Sequence, residues 1–267
     1  MADKFVIAAS AAEAAALRDG DSAFLAGGTE INRLGSSVDA GTLISIGRIA
    51  ELDGVSIQED CVRIGAMCTF QDIVENKGVP QFLKDACLFM GSRTKRNMAT
   101  IGGNVALGRT DSYLCATLLA CHAGIILRNA EGTSIRRCVK GYLEDRAQYS
   151  DMLIEALLIP KDAVVVSKRY SNTVQSHAVL TVSAGLSGGL LRIAVAARDT
   201  YLGLLPEIST AIAGAEKPLS DEAILKLVNG CPQLAFMQDM FGSPEYKRYL
   251  LAVTIADLVA KVRGGEA

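Results

Sequence analysis

Arg96-Asn97-Met98-Ala99-Thr100-Ile101-Gly102-Gly103-Asn104-Val105 sets two adjacent glycines beside a threonine hydroxyl. An earlier segment, Phe24-Leu25-Ala26-Gly27-Gly28-Thr29-Glu30-Ile31, repeats that arrangement. Glycines let successive backbone N–H groups point into one concavity and let a ligand approach with no Cβ in the way, the geometry that binds phosphate oxygens. Either pair alone reads more readily as a simple turn. Two such pairs, each expected at the end of a strand or in a turn, suit the two phosphates of a pyrophosphate.

Working outward, Ser10 and Glu13 have capping-box spacing and start an Ala-rich helix running toward Gly20. Ser22–Ala26, Thr42–Ile46 and Val62–Met67 read as strands. Thr69 with Asp72 caps a helix to about Asn76, Pro80 opens another, and the apolar run from Leu114 to Ala123 reads as a buried helix. Ile125–Leu127 then returns as a strand. Past this α/β half, Met152–Ile159, Ala163–Tyr170, His177–Gly185 and Leu190–Ala196 are strands in succession, which indicates antiparallel pairing. Helices are expected from Ser220 to Val228 and from Ser243-Pro244 onward, the latter placing Tyr246, Leu250 and Val253 on one face. The class expected is α+β, with a domain at 1–162 and a smaller one of antiparallel sheet plus helices at 163–267.

A chain of 267 residues, half of them hydrophobic, can bury a substantial core. Its net charge of -2 gives no basic excess to neutralise a phosphate backbone, so nucleic acid is not an expected partner. No apolar run reaches the roughly 20 residues of a membrane span, and no charged leader opens the sequence, so a cytoplasmic protein is expected. The seven cysteines are irregularly spaced without C-x-x-C and read as reduced core residues. Neither a G-x-G-x-x-G fingerprint, a P-loop, H-E-x-x-H nor G-x-S-x-G is present, so neither a metal site nor a hydrolytic catalytic residue is expected. A mean hydropathy of +0.27 hints at apolar surface covered by a partner.

The two glycine segments, with Arg63-Ile64-Gly65-Ala66 between them, resemble the FAD-binding subunit of molybdenum hydroxylases, the family of xanthine and carbon monoxide dehydrogenases. Members carry an A-G-G-(S/T)-(D/E) motif near the N-terminus and an R-N-x-A-T-I-G-G-N motif further along, and both are present here in order. The resemblance extends through Leu153–Pro160 and the segment around Tyr246–Leu250. It implies a FAD-binding domain of the xanthine dehydrogenase/vanillyl-alcohol oxidase (PCMH) type, built in two α/β parts and followed by the smaller C-terminal domain.

The resemblance further implies noncovalent FAD with its pyrophosphate on the backbone of Gly27, Gly28, Thr29 and Glu30 and of Gly102, Gly103 and Asn104. Leu25, Ala26 and Ile31 flank the first of these, and Thr29 and Thr100 add hydroxyls. For Glu30 a solvated helix-start carboxylate is the alternative to a cofactor contact. The family's S-D-x-x-P stretch corresponds to Arg109–Ala116, which lacks the proline and displaces the acid. Asp111 there either reaches the cofactor's ribose or caps the next helix. Near the flavin ring the resemblance puts Ile154 and a basic residue of the next strand, where Lys168 and Arg169 stand; for Arg169, the candidate contact, an ordinary exposed strand charge is the commoner alternative.

It also implies partners: a large subunit binding the molybdenum cofactor and a small subunit with two 2Fe–2S clusters. Electrons would pass through FAD to NAD or another acceptor, with no residue of this chain acting as nucleophile or general base. Two rival readings stand beside it. One is a flavoprotein oxidoreductase acting alone, for which Arg169, Tyr170 and His177 are the available groups. The other is a family member without FAD that serves as an assembly subunit.

Overall fold

The computed structural model describes residues 2–33, 36 and 38–264. In chain order its elements are β1 (Lys4–Ile7), α1 (Ala11–Ala16), β2 (Ser22–Leu25), β3 (Thr42–Ser45), β4 (Val55–Ile57), β5 (Cys61–Gly65), α2 (Phe70–Glu75), α3 (Gln81–Leu88), α4 (Arg93–Arg96), α5 (Ile101–Leu107), α6 (Cys115–Ala120), β6 (Gly124–Arg128), β7 (Ser134–Cys138), α7 (Val139–Glu144), β8 (Leu153–Pro160), β9 (Val164–Tyr170), β10 (Leu180–Ser187), β11 (Leu190–Ala197), β12 (Tyr201–Leu204), α8 (Pro206–Ala213), α9 (Asp221–Asn229) and α10 (Pro244–Gly264). A 3-10 turn, Arg146–Tyr149, precedes β8. No helix among the described residues is long and apolar enough to cross a membrane.

The chain divides into two compact units. The first comprises Met1–Val79, Ser92–Leu107 and Ala123–Ile159, and the second Pro80–Gly91, Gly108–His122 and Pro160–Ala267. Besides the crossing near residue 160, the short segments carrying α3 and α6 therefore belong with the C-terminal sheet. The reason is legible in α6, all six of whose residues are buried. A helix apolar on every side needs a layer to cover it.

The first unit holds two sheets. β1 and β2 flank β3 in a three-stranded parallel sheet, and β4-β5-β8-β6-β7 form a five-stranded one. Ala11, Ala14 and Ala15 of α1 bury their small faces with Ile44, Ile46 and Leu52, and Leu153 of β8 joins the same core. Ser10 caps α1 as its spacing indicates, but the helix ends at Ala16, short of Gly20. There Arg18 turns back onto the carbonyls of Asp19 and Ser22. Thr69 and Asp72 form the reciprocal capping box on α2.

In the second unit β12-β11-β10-β9 form an antiparallel sheet. Leu180, Val182 and Ala184 of β10 face the core built with α8, α9 and α10. The alternate residues face α6: Thr117 bonds Ser167 at 2.8 Å, Ser167 bonds Ser183 at 2.7 Å, and a Cβ on Gly185 would stand 2.5 Å from the Ala120 carbonyl. Helices thus cover both faces. α10 presents Leu251, Ala252, Ile255, Leu258, Val259 and Val262 to the core, whereas Tyr246 of the expected apolar face is exposed. The apolar pattern alone misplaces that face, because Lys247 is buried, its amine donating to the Met237 carbonyl at 2.7 Å and pairing with Asp239 at 2.8 Å.

Candidate functional site

Both glycine segments lie in the first unit and meet there. β2 ends at Leu25, and the chain turns through Ala26–Ile31 with Gly28 at φ +69°, the left-handed region that favours glycine. The Gly28 carbonyl accepts from Asn32 N–H at 3.0 Å. Among the described residues, the backbone N–H groups of Gly27, Gly28, Thr29 and Ile31 meet no protein acceptor. A run of unengaged amides around a left-handed residue is an anion-binding concavity. Gly27 has a separate duty: a Cβ there would lie 1.5 Å from the Met98 carbonyl oxygen, so its backbone touches the start of the second segment.

The second segment differs from the expectation of a strand end or turn. Gly102 and Gly103 stand in the first turn of α5, whose start Thr100 caps by accepting from Gly103 N–H at 3.1 Å. Gly102 N–H donates to the Ala66 carbonyl at 2.9 Å and Asn104 N–H to the Thr100 carbonyl at 3.0 Å. All three amides expected on the pyrophosphate are therefore engaged within the protein. What this segment offers is closeness. An added Cβ on Gly102 would stand 2.6 Å from Ala66 Cβ, which makes that glycine a packing residue. One on Gly103 would meet only the Thr100 hydroxyl, at 2.9 Å.

Gly103 lines a cleft with about 760 Å³ of free space, counting its open mouth. Ala26, Ala66 and Gly102 share its small-residue floor, and Phe24, Ile46, Met152, Leu153 and Ile154 give it apolar walls. Glycines where a phosphate must come close, with apolar walls for a flat aromatic ring, fit a dinucleotide of the FAD kind. Sequence reasoning finds Gly103, Ala26 and Ile154 but misses Tyr142, Ser150 and Arg146, which also line the cleft and carry no motif. Glu30, open between two roles in the sequence, gives its carboxylate to Arg33, at 2.7 Å from Nη2 and 3.1 Å from Nε.

Asp111 and Arg169 lie in the second unit, where a polar cluster surrounds them. The buried Asp111 carboxylate accepts from Arg109 at 2.8 and 3.0 Å and stands 3.3 Å from His177 Nδ1. Burial pushes this carboxyl up, but the Arg109 hydrogen bond and the charges of His177 and Arg109 outweigh it and hold the group below its ordinary value. Asp111 does not cap α6: the Ser112 hydroxyl accepts from the N–H groups of Leu114 and Cys115. Arg169 lies over the Tyr113 ring at 5.6 Å and donates to the Ser176 carbonyl. Desolvation lowers the Arg169 pKa and raises that of Tyr113. Tyr170 bonds Thr254 at 2.7 Å. Arg169, Tyr170 and His177, the groups available to a stand-alone oxidoreductase, are thus each engaged in the unit's own structure.

Comparison with known proteins bears on this geometry. Residues 2–162 match the family described as the FAD binding domain in molybdopterin dehydrogenase. The chain is 30% identical over 246 residues to the uncharacterized protein YgfM of Escherichia coli K12, covering 90% of this chain and 87% of that one. It is 25% identical over 181 residues to the nicotinate dehydrogenase FAD-subunit of Eubacterium barkeri, covering 63% and 60%. Among solved structures, a carbon monoxide dehydrogenase from Hydrogenophaga pseudoflava superposes with a TM-score of 0.81 over 99% of this chain and 98% of that one, at 21% identity. That last likeness is one of fold.

Proposed function

The chain belongs to the family of FAD-binding domains of molybdopterin dehydrogenases, and on that premise we propose that it passes electrons between a partner's iron–sulfur clusters and a terminal acceptor. It is the FAD-binding flavoprotein component of an oxidoreductase of the molybdenum hydroxylase family. The observation that carries the finer reading is the cleft of the first unit, whose glycine floor and apolar walls include Ala26, the residue just before the unengaged amides of Gly27, Gly28, Thr29 and Ile31, and whose lining holds no histidine, cysteine or carboxylate to act on a substrate.

In this reading Gly27, Gly28, Thr29 and Ile31 donate backbone N–H groups to the FAD diphosphate, Glu30 holds the loop through Arg33, and Gly103 leaves room for the close approach. Leu25 and Ala26 carry the loop on from β2, Thr100 and Gly102 fix the start of α5, and Asn104 offers its side-chain amide. Ile154 supplies apolar wall. Asp111 and Arg169 remain proposed contacts of the ribose and the pyrimidine edge, supported by the family resemblance. The FAD-binding domain is taken to end near 162, where the family match ends. Bound FAD supplies exchange between one-electron carriers and a two-electron acceptor, for which NAD is the candidate. The partners proposed are a large molybdenum-cofactor subunit and a small 2Fe–2S subunit.

The test is anaerobic. Xanthine, aldehydes or nicotinate added to the FAD-loaded chain alone should leave the flavin absorbance unchanged, and addition of the partner subunits should let the right substrate bleach it. Rapid bleaching of the isolated chain by an organic substrate would refute the relay role.

A further inference from the structure

We infer that Arg146 is a cofactor-binding residue, its guanidinium pairing with the FAD diphosphate; this rests on the cleft of the first unit being the FAD site. Of the thirteen residues lining that cleft, Arg146 alone carries a charge. No carboxylate stands among them to compete with an anionic ligand for that charge.

Its position is built. Arg146 opens the 3-10 turn before β8, and its Nη2 donates to the Ala106 carbonyl at 2.7 Å. Ala106 is the penultimate residue of α5, so the cation sits at the negative end of the helix dipole, a favourable place for it. Ala106 also follows Gly103 by three positions, which puts the two on one face of α5 with side-chain positions about 5–6 Å apart. The guanidinium is therefore anchored roughly one helical turn from the floor where a phosphate would lie. A guanidinium has five N–H donors in a planar fork matched to phosphate oxygens, and the Ala106 bond uses one of them. The side chain is exposed, so its charge carries no burial cost before the ligand arrives. The unengaged amides of Gly27, Gly28 and Thr29 are neutral donors, and Arg146 supplies the positive charge that they lack.

The experiment titrates the flavin-free full-length chain with FAD and, separately, with riboflavin, which has the ring but no phosphate, at low and high salt. Arg146→Gln should weaken FAD binding by tenfold or more, the order expected for loss of one charge-assisted hydrogen bond. It should also flatten the salt dependence and leave riboflavin affinity unchanged. Arg146→Lys, which keeps the charge and a donor for Ala106, should recover part of both the affinity and the salt dependence. Unchanged FAD affinity in Arg146→Gln, or equal weakening toward FAD and riboflavin, would overturn the assignment. Should Arg146→Gln unfold at lower temperature, the wild-type chain decides: FAD affinity that falls with salt while riboflavin affinity does not supports the charge role, and FAD affinity independent of salt overturns it. A wild-type chain that takes up no FAD at either salt would instead remove the cofactor reading itself.

Discussion

Alanine placed at Gly103, Gly27 and Gly102 in turn should separate glycines that serve the ligand from those that serve the fold. At Gly103 the new Cβ meets one atom, the Thr100 hydroxyl at 2.9 Å, which is the end of a side chain able to rotate. Its backbone is not left-handed, so alanine in the first turn of α5 gains up to about 0.5–1 kcal/mol from helix propensity. Disturbing the Thr100 cap costs about the same, so the flavin-free chain should unfold within a few degrees of wild type. The methyl then stands in the cleft, where the proposed FAD site brings a phosphate oxygen close. Loss of one charge-assisted contact is worth about 1.5–3 kcal/mol, or roughly 10–150-fold in FAD affinity. At Gly27 the same methyl would lie 1.5 Å from the Met98 carbonyl, backbone that cannot step aside. Gly27→Ala should therefore lower stability by more than about 1–3 kcal/mol, the usual cost of overpacking. Gly102→Ala, pressed on Ala66 at 2.6 Å, should fall between the two. Flavin-fluorescence titration and thermal unfolding of the flavin-free proteins read both quantities. Wild-type FAD affinity in folded Gly103→Ala would refute the argument that phosphate lies over Gly103, and an undisturbed melting temperature in Gly27→Ala would refute the close-approach argument.

In the first unit Arg128 of β6 bonds the buried Glu155 of β8 at 2.6 Å, and Ser134 donates to the same carboxylate at 2.7 Å. Glu155→Ala should cost about 2–3 kcal/mol in chemical denaturation, slightly under the usual figure for a buried pair because Arg128 is part-exposed, and a loss below 0.5 would show the pair to be idle. Asp111 ionises below its ordinary 3.8, so its contribution is complete above that value and fades as pH falls through the lower folded value. The fall of melting temperature below about pH 4 should accordingly be shallower in Asp111→Asn, and an identical acid limb in both proteins would contradict the pairing. His122, just past α6, holds φ +59°, and His122→Gly should raise stability by up to about 1 kcal/mol by relieving the left-handed strain, a gain that urea denaturation can resolve.

The fold was readable wherever local chemistry decides an element. Thr69 with Asp72 and Ser220 with the acidic residues behind it cap helices as their spacing indicates, and the strands from Leu153 to Ala197 announce themselves by long β-rich runs. Most of the misses are short or charged elements, the exception being α8 (Pro206–Ala213), eight residues that open on a proline. β1 and β4 have four and three residues, and β7 reads Ser-Ile-Arg-Arg-Cys, an edge strand whose polar side chains hide its pairing with β6. Lys247 shows the limit of hydropathy in another way, since only the Met237 carbonyl and Asp239, eight to ten residues away in sequence, make its burial tolerable.

The site was legible as composition but not as a division of labour. Two Gly-Gly pairs look alike on paper, and symmetry suggests that both present amides to phosphate. The folded chain breaks that symmetry through hydrogen bonding: entry into α5 engages the N–H groups of Gly102, Gly103 and Asn104, while the turn around Gly28 leaves those of Gly27, Thr29 and Ile31 without an acceptor among the described residues. Helix capping is local, so the Thr100 hydroxyl three residues before Gly103 already contains that distinction, once the segment is recognised as a helix start. Arg146 is different in kind. Its place at the cleft depends on a 3-10 turn reaching back forty residues to Ala106, and no neighbouring residue in the sequence signals that contact. Donors fixed by local turn chemistry can be inferred from a motif, whereas a charge delivered across the fold has to be found in the structure.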